Sequence, residues 1–83
     1  MENRITVVLA DANEELRAAM EQAIRSAGEF NVVGCTGDGP SALQLLETHD
    51  PQLLVMDLLL PGLDGLGLLR RIRGKGTRTI VIT

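Results

Sequence analysis

The sequence predicts an α/β protein built on a doubly wound parallel sheet. Short β-branched apolar runs alternate with segments whose apolar residues recur at helical spacing. The connections between them are short, and Gly, Pro, Asp and Asn stand at the junctions. Alternation of this kind puts helices on both faces of parallel strands.

The elements follow in order. "RITVVLA" (4–10) is apolar on successive residues, as a strand buried on both faces would be. In the next segment Leu16, Ala19, Met20, Ala23, Ile24 and Ala27 fall on one helical face. Asn13 suits its N-cap, Glu14 and Glu15 suit the positive end of its dipole, and Gly28 suits its C-cap. "FNVVGC" (30–35) reads as the second strand. The second helix is expected over 37–50, with Asp38 as cap, Pro40 in the first turn and Ala42, Leu45 and Leu46 inside. "PQLLVMD" (51–57) is the third strand. Asp64 caps a third helix over 65–73, with Leu66, Leu69 and Ile72 inward. "RTIVIT" (78–83) is the fourth strand.

Bulk composition narrows the function. The chain has 83 residues and a net charge of −3, with Phe30 as the only aromatic and Cys35 as the only cysteine. One cysteine allows no internal disulfide and no zinc site. There is no global basic excess to bind nucleic acid. Arg70, Arg71, Arg73, Lys75 and Arg78 cluster, but cations at a helix C-terminus complement its dipole. No stretch of about 20 apolar residues and no signal-type segment is present, which predicts a cytoplasmic chain with no membrane partner. "GDG" at 37–39 lacks the further Gly and Lys of a phosphate loop. His49 has no partner signature, and Met20 and Met56 read as core filling.

In open α/β sheets, ligands bind beyond the carboxyl ends of the strands. The first strand runs out into Ala10-Asp11-Ala12-Asn13, the third ends at Asp57 and the fourth at Thr83. An Asp at a strand end is also a common turn former. It is the matching placement on neighbouring strands that favours chemistry. Two carboxylates together repel unless a cation joins them, and Mg²⁺ takes one or two carboxylates plus waters and phosphate. A carboxylate held beside Mg²⁺ can attack phosphorus and form an aspartyl phosphate.

These residues resemble the receiver domain of two-component response regulators. "VVLADAN" resembles the family's acidic first loop. "VMDLLLPGLDGLGLLRRIR" resembles its phosphoacceptor block, with the Pro four residues and the Asp-Gly seven and eight residues after Asp57. "IVIT" resembles a fourth strand ending in the switch hydroxyl. The "ADAN" loop and "GLDGLGLL" segment are most similar to sporulation transcription factors of Firmicutes. The resemblance implies a flavodoxin-like fold with strand order 2-1-3-4. It spans residues 1–83 as a single partial receiver, lacking the fifth strand and the last helices. By the same resemblance Asp57 is the phosphoacceptor. Asp11, Asp57 and the backbone carbonyl of Leu59 hold Mg²⁺, and Thr83 is the switch hydroxyl. Pro61 and Gly65 shape the loop over the site. The donor is a phosphohistidine on a histidine kinase or phosphotransfer protein, and the full protein carries a DNA-binding output domain.

Two departures set expectations. Ala12 stands where the family has a second acid, which predicts weakened Mg²⁺ binding, and the family's lysine after a fifth strand is absent. The rival reading is therefore a pseudo-receiver that works by protein contacts alone. A nucleotide- or flavin-binding domain is disfavoured because the first loop is not Gly-rich. An apolar last strand with nothing after it predicts a fragment, or an edge filled by a second copy through dimerisation or element exchange.

Overall fold

Ile5–Ala10 (β1) is one of the two inner strands of a four-stranded parallel sheet. Phe30–Thr36 (β2) pairs on one side of it and Leu53–Asp57 (β3) on the other, and Arg78–Ile82 (β4) lies beyond β3. The order β2-β1-β3-β4 is the predicted one. The computed structural model describes residues 4–63 and 65–82. The expectations placed on Asp64 as a cap and on Thr83 lie outside the described residues.

Three helices connect the strands: Glu14–Ser26 (α1), Gly39–His49 (α2) and Gly65–Ile72 (α3). Strand alternation sorts the core into two layers. Val8, Ala10, Leu54 and Met56 pack with Ala42 and Leu46 of α2 and Leu68 and Ile72 of α3. Val7, Leu9 and Val55 face the other way, towards Met20 and Ile24 of α1. Phe30 and Cys35 of β2 also pack against this second layer, and every inner-strand residue from Val7 to Ala10 is fully buried.

The helix ends obey capping chemistry. Asn13 Oδ1 accepts from the Leu16 N–H at 2.9 Å, and Asp38 Oδ1 accepts from the Ser41 N–H at 2.7 Å. The C-cap of α1 is Ala27, and Gly28 follows it at φ 79°, the left-handed turn that glycine tolerates. Helix α2 stops one residue earlier than expected, because Asp50 takes the left-handed cap at φ 44°. Strands β1 and β3 start later than expected, at Ile5 and Leu53, and β2 runs one residue further, to Thr36.

The inner face of α3 differs from the expectation. Leu66 is 58% exposed, Leu68 is fully buried, Leu69 is half-buried, and Ile72 is inside as expected. The reason is Gly65. Its N–H donates to the Leu58 carbonyl at 2.7 Å, and a Cβ there would meet that oxygen at 2.6 Å. The helix is pressed backbone to backbone at its first turn, so Gly65, Leu68 and Ile72 form the buried stripe. The close approach of Gly65, not the spacing of the leucines, sets the rotation of the helix.

Candidate functional site

Asp11 follows directly on β1, and Asp57 is the last residue of β3. Ala10 and Met56 are the final β1–β3 partners, so the next residues on the two strands are the two aspartates. Parallel strands run about 4.8 Å apart. Side-chain direction agrees as well. Val7, Leu9 and Val55 face the α1 side, and alternation carries Asp11 and Asp57 to that same side.

Each carboxylate is oriented by its own loop. Asp11 is 1% exposed, and its Oδ1 accepts from the Asn13 N–H at 2.8 Å. Its backbone N–H donates to the Thr36 carbonyl at 3.0 Å, which extends the β1–β2 ladder by one step. Asp57 is half-buried, and its Oδ1 accepts from the Leu59 N–H at 3.0 Å. One oxygen of each carboxylate is thus engaged locally, and a carboxylate has capacity for further bonds. Ala12, between Asp11 and Asn13, is exposed.

The loop after Asp57 is anchored at several points. Leu59 is 79% exposed, while Leu60 is buried in the core. The Pro61 carbonyl accepts from the Gly39 N–H at 2.9 Å. Gly62 sits at φ 84° against the Pro40 ring. The loop is therefore tied to the N-terminus of α2 at Pro61 and to the strand end at Gly65, the two residues expected to shape it.

Among the described residues, no group of three or more His, Cys, Asp and Glu is gathered for a metal. Two adjacent carboxylates fit Mg²⁺, which keeps waters and takes phosphate oxygens for the rest of its shell. Arg17 was not singled out from the sequence. Its Nη1 donates to the Asp11 carbonyl at 2.7 Å, and the only sequence signal is its place one turn into the helix that Asn13 caps.

Comparison with known proteins decides the family: the response regulator receiver domain matches residues 7–83. The chain belongs to that family. Receiver domains are signal-transduction phosphoacceptors, and they generally bind Mg²⁺ at the acidic phosphorylation site. This receiver is 37% identical over 70 residues to the nitrate/nitrite response regulator protein NarL of Escherichia coli K12, covering 84% of this chain and 32% of that one. The signal receiver domain of NarL from Mycobacterium tuberculosis superposes with a TM-score of 0.91 at 31% identity, over 98% of this chain and 66% of that one. A DNA-binding response regulator of the LuxR family from Staphylococcus aureus gives 0.89 at 30% identity, over 93% and 66%. The chain thus spans about a third of the curated regulator and about two thirds of the solved chains. No helix among the described residues is long and apolar enough to cross a membrane.

Cys35, expected as a small buried hydrophobe, is half-buried at the end of β2. Burial first, and then its hydrogen bond with Glu21, push its thiol up to about 11. Glu21 is held below the usual carboxylate range by its pairing with Arg25 at 2.8 Å. His49 is exposed in the last turn of α2.

Proposed function

We propose that this receiver accepts a phosphoryl group on Asp57 from a phosphohistidine of a histidine kinase or phosphotransfer protein. The observation that carries the proposal is the placement of Asp11 and Asp57 one step beyond the last β1–β3 pair, on one face. An Asp57 carboxylate oxygen attacks phosphorus, the P–N bond to the donor imidazole breaks, and the imidazole nitrogen leaves with the electron pair and takes a proton. An aspartyl phosphate results. Asp11, Asp57 and the Leu59 carbonyl are the residues that would hold Mg²⁺, which when bound offsets the charge on the transferring group. Thr83 is assigned the switch hydroxyl by its place after β4.

Residues 1–83 form one partial receiver unit of a cytoplasmic regulator. The output is a DNA-binding domain controlling transcription, as the name of the S. aureus neighbour says of that protein. Self-association of this chain by edge pairing or element exchange is a further part of the reading. Sedimentation showing only monomer at high concentration would remove that part.

Ala12 favours a second reading, a pseudo-receiver acting by contacts alone, because the first loop offers Asp11 as its one acid. Incubation with acetyl phosphate and Mg²⁺, followed by mass spectrometry, separates the two. Modification of the wild type that is lost in Asp57→Asn supports phosphotransfer. An unmodified wild type, in this chain and in the full-length protein, supports the pseudo-receiver.

A further inference from the structure

We propose that Arg17 is a positioning residue of the phosphorylation site, fixing the acidic loop through the Asp11 carbonyl. This rests on the reading that Asp11 helps hold Mg²⁺.

The loop Asp11–Asn13 leaves the sheet where the β1–β3 ladder has ended. Three of its polar groups are taken up by neighbours in the chain: Asp11 Oδ1 by the Asn13 N–H, Asn13 Oδ1 by the Leu16 N–H, and the Asn13 carbonyl by the Arg17 N–H. The Asp11 carbonyl points away from this set. It accepts instead from Arg17 Nη1 at 2.7 Å, a short bond from a charged donor. Asp11 is thus held from both sides of its peptide frame. Its N–H is bonded to Thr36 of β2, and its carbonyl to a side chain of α1.

Gly37 makes the arrangement specific. A Cβ at that position would come 2.8 Å from Arg17 Nη1 and 3.6 Å from the Asp11 carbonyl oxygen. The guanidinium therefore lies in the space a side chain at 37 would fill, between the β2–α2 connection and the acidic loop. Arg17 joins three segments at one point: α1 by its backbone, the β1–α1 loop by its hydrogen bond, and the β2–α2 connection by contact. With Ala12 providing no second carboxylate, metal affinity depends the more on where Asp11 is held. Outer partners of metal-binding groups act in this way, by orienting the ligand.

The test is an Mg²⁺ titration of the full chain, read from the amide resonances of Asp11 and Asp57, so no phosphoryl transfer is needed. Arg17→Ala removes the bond. Gly37→Ala keeps the arginine and its charge but displaces the guanidinium. Arg17→Lys keeps a charged donor. Arg25→Ala, on the same helix and remote from the loop, controls for loss of α1 packing. Arg17→Ala and Gly37→Ala are expected to raise the half-saturating Mg²⁺ concentration about tenfold. Arg17→Lys should fall between them and the wild type, and Arg25→Ala should match the wild type. Unchanged affinity in both alanine variants, or tighter binding in Arg17→Ala, would overturn the inference, the latter by revealing a mere repelling charge. A wild type that neither binds Mg²⁺ nor takes phosphoryl would overturn the functional reading and this inference together.

Discussion

Asp11 and Asp57 stand one residue beyond the Ala10–Met56 pair, on the same face of the sheet. Neither carboxylate reaches the other through its own loop: each bonds a backbone N–H two residues on. The pair is made by strand register, and Ala12 stands next to it, where the resemblance to receiver domains leads one to expect a second acid.

Restoring that partner should strengthen the site. Ala12→Asp adds a carboxylate to an exposed position beside Asp11. The Mg²⁺ concentration that half-saturates phosphorylation by acetyl phosphate is expected to fall. An unchanged value would mean that a carboxylate at 12 does not reach the metal.

Helix α3 offers a stability test of the face that the structure assigns. Leu68→Ala should cost about 2–5 kcal/mol, because the side chain is fully buried among Leu54, Met56 and α2. Leu66→Ala should stay within about 0.5 kcal/mol, as an exposed substitution does. Urea denaturation of the two variants checks this, and equal losses would return Leu66 to the core.

Gly65→Ala should be more damaging than an alanine at a helix start normally is. The added carbon would lie 2.6 Å from the Leu58 carbonyl oxygen and 2.7 Å from the Leu58 Cα, both backbone atoms. Strain of about 1–3 kcal/mol is expected. The readout is again the urea midpoint, with Gly76→Ala, which meets open space, as the comparison.

The α2 cap makes stability depend on pH. The Ser41 backbone N–H, then the Ser41 hydroxyl, hold the Asp38 carboxyl below its ordinary value of 3.8. A carboxyl depressed in the folded state adds stability that is present above the unfolded value and lost as pH falls through the folded one. Asp38→Asn keeps a capping oxygen without the charge. The stability gap between wild type and Asp38→Asn should be constant from pH 7 down to about pH 5 and close below about pH 4. A gap that persisted at pH 2 would refute the charge argument.

Cys35 should be slow to alkylate. With its thiol pushed up to about 11, the thiolate fraction at pH 7 is on the order of 10⁻⁴. Iodoacetamide labelling is expected to be far slower in the native chain than in urea. Rapid native labelling would show a reactive thiol.

Much of this fold was legible because its signals are local. Asn13 and Asp38 announce their helices by chemistry within three residues, and the alternation of runs announces a parallel sheet, whose order came only from the resemblance to receiver domains. Asp11 and Asp57 were legible as strand ends. Less visible were contacts between distant segments. Gly65 against Leu58 turned α3, Gly39 bonds Pro61 across the α2 N-terminus, and Arg17 reaches back to Asp11 beside Gly37. A glycine's role as a surface for another backbone leaves no periodicity to read. An arginine on a helix looks solvated until its partner carbonyl is known.

The two edges of β1 differ in how they tolerate changes of chain length. Against β2 the register slips by one residue, since Val7 pairs with Val32 but Val8 with Gly34. Against β3 it runs without a break from Val7–Leu53 to Ala10–Met56. A one-residue insertion in β2 can be absorbed as a bulge away from the aspartates. The same insertion in β3 would reverse the facing of everything after it and turn Asp57 towards the α2–α3 layer. Descendants of this sequence can therefore lengthen or shorten at β2, whereas β3 can change letters but not length.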